Sequence, residues 1–254
     1  MITVESLSAG YDEKVIVKDV SFEAEVGDFI GIVGPNGCGK TTLLKALLGL
    51  ITVHGGFVKI RGKDVQKIRR GDLAKKVSFV PQLMEPIDGF TVEDTVMLGR
   101  IPHIKRFAFE SGKDYKVVDK AIEQLRIGEL KDIPVSNLSG GEFRRVAIAR
   151  ALAQNSKVMI LDEPISHLDL RFKLRILRML RKLRQDKCII ATFHDLNMAS
   201  RFCRKVMLLN NKGEVVAFGW PKDILTHENL KKVYRVNVNV RKNPKTGKLR
   251  IQLP

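Results

Sequence analysis

Residues 34–41 read Gly-Pro-Asn-Gly-Cys-Gly-Lys-Thr, glycines spaced ahead of a lysine and a hydroxyl in the way that suits cradling phosphate groups. Gly34, Gly37 and Gly39 let the backbone turn its N–H groups toward phosphate oxygens. Lys40 is then placed to reach the β/γ-phosphates, and Thr41 to put its hydroxyl on Mg²⁺. Much further on, Val158-Met159-Ile160-Leu161-Asp162-Glu163 is an apolar run that ends in two acids. There Asp162 can hold the Mg²⁺ shell and Glu163 can polarise an attacking water. Between these two segments stands Leu138-Ser139-Gly140-Gly141-Glu142. Ser139 and Glu142 have capping-box spacing, and the two glycines leave the N–H groups of a helix start bare, a second anion site that needs a phosphate from elsewhere. Taken singly, each segment also reads as something ordinary: a flexible loop, a loop start, a well-capped helix.

Chemistry of this kind needs strands that end sharply and helices that begin there. Residues 29–33, 77–80, 157–161 and 188–192 are continuous apolar runs, expected as strands covered on both faces. Residues 2–7 and 20–26 alternate with period two and read as half-exposed antiparallel strands. Helix-period stretches cover 42–50, 91–98, 115–125 and an amphipathic 143–154. A turn at Asn211-Lys212-Gly213 joins two short strands, and the tail from 236 to 254 alternates around 243–247. The fold class is α/β: a phosphate-loop NTPase core with a mixed, largely parallel sheet, an N-terminal antiparallel β layer and an inserted helical subdomain. We expect one domain over 1–254, with 1–82 and 156–225 as nucleotide-binding core, 83–155 as helical subdomain and 226–254 as C-terminal extension.

The chain has 254 residues, 44% of them hydrophobic, enough apolar content for a sizeable core, and a formal charge of +17. No apolar run is long enough to cross a bilayer, and no secretory leader is evident at Met1. Cys38, Cys188 and Cys203 are odd in number and form no CxxC, which argues for reduced thiols and against a zinc site. The charge fits nucleic acid, an anionic membrane surface or a solvated lysine-rich surface. Residues 171–184 hold seven cations and no acid, and Leu170, Leu174, Leu177, Leu180 and Leu183 recur at helical spacing. The expected arrangement is a leucine stripe packed inward with cations toward water, attraction to anionic lipid being the other reading.

A phosphate loop, then Leu-Ser-Gly-Gly-Glu, then an apolar strand ending Asp-Glu resembles the nucleotide-binding subunit of an ABC transporter, over essentially the whole chain. The resemblance implies ATP and Mg²⁺. It implies that Gly34, Asn36, Gly37, Cys38, Gly39, Lys40, Thr41 and Thr42 bind the nucleotide and that Tyr11 stacks on adenine. Gln82 would sense Mg²⁺ and the attacking water, Asp162 would bind the metal with Thr41, and Glu163 would be the general base. His194 would contact the γ-phosphate. Ser166-His167-Leu168-Asp169 resembles the loop that crosses to the partner subunit. Each ATP would lie between the phosphate loop of one subunit and Ser139, Gly140 and Gly141 of the other, in a homodimer or with a related ATPase subunit. Two positions depart from the commonest pattern: Cys38 where a small residue is usual, and Ile165 where threonine is usual. Beside a helix start, Cys38 is expected to have a lowered thiol pKa and to react with electrophiles.

The run Thr91-Val92-Glu93-Asp94-Thr95-Val96-Met97-Leu98-Gly99-Arg100-Ile101-Pro102-His103 is similar to a passage in importers of iron-siderophores, haem and vitamin B12. That likeness implies a polytopic permease contacting Gln82 and residues 91–106, an extracytoplasmic substrate-binding protein, and a peripheral place on the cytoplasmic face of the membrane. Two other classes stand beside it. One is a soluble ABC ATPase of the iron–sulfur assembly kind. The other is a nucleic-acid-associated ABC protein, disfavoured because the chain has neither a long coiled coil nor a second ATPase half, so no specific nucleic acid is expected.

Overall fold

The computed structural model describes residues 1–105, 108–166, 168–244 and 247–252. In chain order the elements begin with β1 (Ile2–Tyr11), β2 (Lys14–Ala24), β3 (Phe29–Val33), α1 (Lys40–Leu47), β4 (Thr52–Ile60) and β5 (Lys63–Asp64). They continue with α2 (Arg70–Ala74), β6 (Val77–Val80), α3 (Val92–Met97), α4 (Gly112–Leu125), α5 (Gly140–Ala153), β7 (Val158–Leu161) and α6 (Leu170–Leu183). The last are β8 (Cys188–Thr192), α7 (Leu196–Phe202), β9 (Lys205–Leu209), β10 (Val215–Gly219), α8 (Pro221–Ile224), α9 (His227–Tyr234), β11 (Asn239–Lys242) and β12 (Leu249–Gln252). The chain divides into two compact units, 1–68 with 180–254, and 69–179.

In the first unit β3 is entirely buried and pairs in parallel with β8 and β9, while β10 runs antiparallel to β9. Burial on both faces is why these strands read as unbroken apolar runs. An antiparallel sheet in the order β2-β1-β4-β5 forms the N-terminal layer, and its alternating burial explains the period-two pattern of β1 and β2. β4, which strand-like alternation did not reveal, pairs antiparallel with β1, from Ile2↔Ile60 to Gly10↔Thr52. The register shifts between Glu5 and Ser8, and there Gly56 has φ 70°; a Cβ on it would come within 2.2 Å of the Glu5 carbonyl oxygen. Only glycine fits that close approach, and the Gly55-Gly56 pair hides the strand from propensity. The expected turn at 211–213 joins β9 to β10, with the Asn210 side chain accepting from the Lys212 and Glu214 amides. The C-terminal alternation forms the β11–β12 hairpin, whose Ile251 backbone is held by both ends of the Asn197 amide.

In the second unit β6 and β7 pair in parallel from Val77↔Val158 to Val80↔Leu161. α3, α4 and α5 bury Val92 and Val96, Val118 and Leu125, and Val146 and Ile148. Two expectations are corrected here. α5 is not amphipathic: from Arg144 to Ala153 nearly every residue is buried, because α3, α4 and β6 all pack on it. The leucine stripe of α6 also fails at its start, where Leu170 is 62% exposed although Leu177 and Leu180 are fully buried. Leu170 is the helix's first residue and precedes the turns that pack inward. Nor do all α6 cations simply face water, since the Arg175 guanidinium lies 5.5 Å from the Phe172 ring centre.

α4 starts earlier than its apolar period suggests because Ser111 and Asp114 form a capping box. The Asp114 carboxylate accepts from Ser111 Oγ at 2.6 Å, the Ser111 amide at 3.0 Å and Arg100 Nε at 3.0 Å, and the same Arg100 donates to the Ala153 carbonyl at 2.7 Å. These donors, Ser111 first, hold the Asp114 carboxyl down at about 2. A folded-state pKa below the unfolded one gives stability that is present above the ordinary carboxylate range and is lost as pH falls through the folded value. Asp114→Asn should lower urea stability at pH 7 by about 1–2 kcal/mol. The gap to the unmodified chain should close as pH is lowered from the ordinary carboxylate value of 3.8 toward about 2; a gap that persists unchanged there would show that the charge contributes nothing.

Candidate functional site

In the first unit the phosphate loop leaves the buried strand β3 and runs directly into α1. Gly39, the residue before the helix, has φ 98°, and a Cβ there would lie 2.8 Å from Val17 Cγ1, so both conformation and space require glycine. No side chain caps α1 and its first turn carries no acid, so nothing anionic competes at that helix start. Lys40 is 6% exposed, and its ammonium donates to the Gly34 and Pro35 carbonyls at 2.9 Å each. Those two bonds stretch the lysine back over the loop it follows. Thr41 and Thr42 open the helix behind it, and Asn36 and Gly37 form the loop's tip.

The strand register sets where the next group emerges. β3 and β8 match Ile32 with Thr192, and the Phe193 amide donates to the Ile32 carbonyl at 2.9 Å. Gly34 and His194 therefore both lie two residues past the same rung, at the carboxyl edge of adjacent parallel strands, the edge where ligands bind in open α/β sheets. His194 is exposed, and Asp195 behind it caps α7 by accepting from the Asn197 and Met198 amides. Tyr11, at the end of β1, is 42% exposed, and the Lys45 ammonium of α1 sits 5.5 Å from its ring centre.

The second unit repeats the arrangement with β6 and β7. Val80 pairs with Leu161, so Gln82 and Glu163 each follow that rung by two residues, and the Asp162 amide donates to the Val80 carbonyl at 2.8 Å. Asp162 is 1% exposed. Glu163 has φ 48°, a left-handed conformation that a non-glycine residue adopts at a cost, and the Ser166 hydroxyl and amide both donate to its carbonyl. Ile165 and Leu168 are buried, which accounts for an apolar residue at position 165, and Asp169 accepts from the Phe172 amide at 3.0 Å at the head of α6. His167 lies outside the described residues, as does Arg106.

The expected capping box at the start of α5 is present. Ser139 Oγ donates to the Glu142 carboxylate at 2.6 Å and accepts from the Glu142 amide at 3.4 Å, and the Ser139 amide returns to that carboxylate at 3.0 Å. Those bonds lower the Glu142 pKa. Ser139 and Gly140 are exposed, and a Cβ on Gly140 would meet nothing within 4 Å, so no packing of the described residues demands glycine there. Sequence reasoning passed over Arg144, two residues beyond Glu142. It is 8% exposed and donates to the carbonyls of Pro81, Gln82, Asp162 and Glu163. Its burial would have been legible only from knowing that α5 is enclosed.

The expectation for Cys38 is overturned. Its thiol is 2% exposed and would stand 2.7 Å from a Cβ placed on Gly34, and burial raises its pKa more than nearby Lys40 lowers it. Cys188 and Cys203 are buried with raised pKa as well. In the native protein at pH 7, Ellman's reagent should therefore react with the thiols far more slowly than with free cysteine, and rapidly only after unfolding. A fast native phase of one equivalent per chain would restore the reactive-thiol reading.

Residues 17–166 match the family model described as ABC transporter. The chain is 36% identical over 249 residues to the iron(3+)-hydroxamate import ATP-binding protein FhuC of Bacillus subtilis, covering 97% of this chain and 92% of that one. It is 37% identical over 234 residues to the cobalamin import ATP-binding protein BtuD of Halobacterium salinarum, covering 91% of this chain and 58% of that longer protein. Among solved structures it superposes on a metal-chelate type ABC transporter in an inward-facing conformation with TM-score 0.84 and 30% identity, over 99% of this chain and 95% of that one. It also superposes on the dimeric post-hydrolysis state of the ATP-binding cassette MJ0796 with ADP and Pi, with TM-score 0.76 and 29% identity, over 87% and 99% of the two chains. With the phosphate loop, the capped Ser-Gly-Gly helix start and the Asp-Glu strand end in place, the chain belongs to the ABC transporter family, as a subunit that binds and hydrolyses ATP.

Proposed function

We propose that two copies of this chain, or one copy and a related subunit, close on two ATP molecules to drive an importer of iron-siderophore, haem or cobalamin type. What supports the dimer is that one chain carries two separate glycine-rich helix starts, the phosphate loop and the exposed start of α5. Gly140 supports it, since a glycine that the chain's own packing does not need suits close approach by a ligand held elsewhere. Each ATP then lies between Gly34, Asn36, Gly37, Cys38, Gly39, Lys40, Thr41 and Thr42 of one protomer and Ser139, Gly140 and Gly141 of its partner, with Tyr11 against the adenine and Asp169 facing the partner.

Lys40 holds the β/γ-phosphates, and His194 steadies the γ-phosphate. Thr41, Asp162 and Gln82 offer hydroxyl, carboxylate and amide oxygens, the hard donors that suit Mg²⁺. Bound there, Mg²⁺ would offset charge developing on the transferred phosphoryl group. Glu163 accepts the proton of the attacking water, oriented with the help of Gln82. ATP binds the closed state better than the open one, and that differential affinity powers the switch.

No helix among the described residues is long and apolar enough to cross a membrane. The permease contact is supported within the second unit by a groove of about 420 Å³ lined by apolar residues such as Phe90, Met97 and Ile101 together with the acids Glu93, Asp94 and Glu110. Ile101 and Leu83 beside Gln82 are 59% and 83% exposed, apolar surface that suits a partner around Gln82 and residues 91–106. Residues 83–155 would act as the helical subdomain between this contact and the core. An extracytoplasmic binding protein completes the system, and the chain itself sits on the cytoplasmic face of the membrane.

Glu163→Gln should bind ATP, form a stable ATP-dependent dimer on gel filtration and lose steady-state hydrolysis by at least about 100-fold. Lys40→Ala should instead weaken ATP affinity by about tenfold or more. Normal hydrolysis by Glu163→Gln would sink the assignment of the base. Co-purification with a polytopic membrane protein supports the transporter, whereas a chain that stays wholly free of membranes supports a soluble ABC ATPase.

A further inference from the structure

One buried cation in the second unit has no part in holding nucleotide or metal. Arg144 lies on α5, five residues past the Ser139 cap, and spreads its guanidinium between two loops. Nη1 donates to the carbonyl of Pro81 and, at 3.2 Å, to that of Gln82. Nη2 donates to the carbonyl of Asp162 and, at 2.9 Å, to that of Glu163. Nε has no hydrogen-bond partner among the described residues.

We propose that Arg144 is a positioning residue for hydrolysis, a rigid fork that sets the spacing of the Gln82 and Glu163 backbones and ties both to the helix that starts at Ser139. The inference rests on the roles given above to Gln82 and Glu163, and it adds a residue whose hydrogen bonds all go to main-chain carbonyls. The guanidinium is planar, so its two arms have a fixed separation. One arm takes the residue pair after β6 and the other takes the pair after β7. This side chain thus adds a tie between the two loops beyond the Asp162–Val80 backbone bond and the local Ser166 bonds to the Glu163 carbonyl.

Three features argue that this is more than filling space. The acceptors are all backbone carbonyls, so what is fixed is main-chain position and not side-chain identity. One acceptor belongs to Glu163, whose φ of 48° is a strained conformation that persists only where surroundings over-determine it. The guanidinium also carries five N–H donors in one plane, enough to serve both loops at once. A lysine could offer its point charge to one loop, but no lysine spans both, and glutamine carries a shorter reach with a single donor nitrogen. Movement of α5 would then be felt at the base and at the water-sensing glutamine together.

The test uses the purified full-length chain with Arg144→Lys, Arg144→Gln and Glu163→Gln, measuring steady-state ATP hydrolysis, fluorescent ATP-analogue binding and thermal melting. ATP-dependent dimerisation is read by gel filtration with Arg144→Gln placed in the Glu163→Gln background. A misplacement of about 1 Å at a catalytic group costs on the order of 100-fold. We expect both Arg144 variants to lose about 10- to 100-fold in kcat, with KM for ATP, analogue affinity and dimerisation within about threefold of the parent. Arg144→Lys keeps charge and stem, so it remains informative where Arg144→Gln fails to fold. Wild-type kcat in a folded Arg144→Lys protein, with Glu163→Gln inactive, overturns the proposal. A parallel fall of kcat, affinity and melting temperature also overturns it, by reducing Arg144 to a structural residue. Active Glu163→Gln is a different failure, that of the reading on which the proposal rests.

Discussion

The pairing register of parallel strands is the constraint on which the site depends. Ile32 opposite Thr192 decides that the phosphate loop and His194 leave the first unit from the same edge. Val80 opposite Leu161 does the same for Gln82 and Glu163 in the second. Since side chains alternate along a strand, a slip by one residue in either pair would exchange its two faces and move every functional residue after it. β3, β7 and β8 are buried on both faces at every position, so such a slip would have to repack a filled core on each side. The apolar runs that make these strands easy to recognise are the same feature that fixes the chemistry at their ends.

Legibility followed locality. The phosphate loop, the acidic pair and the Ser139–Glu142 box could be read because each is a short segment whose residue types match a local geometry, and all three have it. What escaped was set by distant neighbours. β4 is a strand because β1 lies beside it and Gly56 lets their backbones close, although two glycines in sequence argue against a strand. An amphipathic α5 would turn the arginines at 144 and 145 toward solvent, whereas both are 8% exposed. Arg145 is enclosed by the carbonyls of Leu125 and Arg126 and by the Phe172 ring 4.3 Å from its guanidinium carbon. A lone sequence cannot say that a cation will be solvated by carbonyls in place of water.

Cys38 failed for a related reason. A thiol at a helix start invites the dipole argument, and the Lys40 charge does lower its pKa, but desolvation is the larger effect. The dipole acts over a fraction of a charge, while burial acts on the whole thiolate. The loop therefore keeps a neutral thiol under Gly34, whose own Cβ would come within 2.7 Å of it.

The treatment of buried cations also bears on the +17 charge. Lys40 is paired with two carbonyls, Arg144 with four and Arg145 with two, and in none of these is a carboxylate the hydrogen-bond partner. A carboxylate would satisfy the cation better in isolation and would cancel its charge. Carbonyl dipoles compensate desolvation while leaving the full positive charge in the surrounding field. A cation neutralised by an acid contributes little net potential, whereas one held by backbone oxygens keeps more of its own, and part of the basic excess follows from solvating buried cations with main chain in this way.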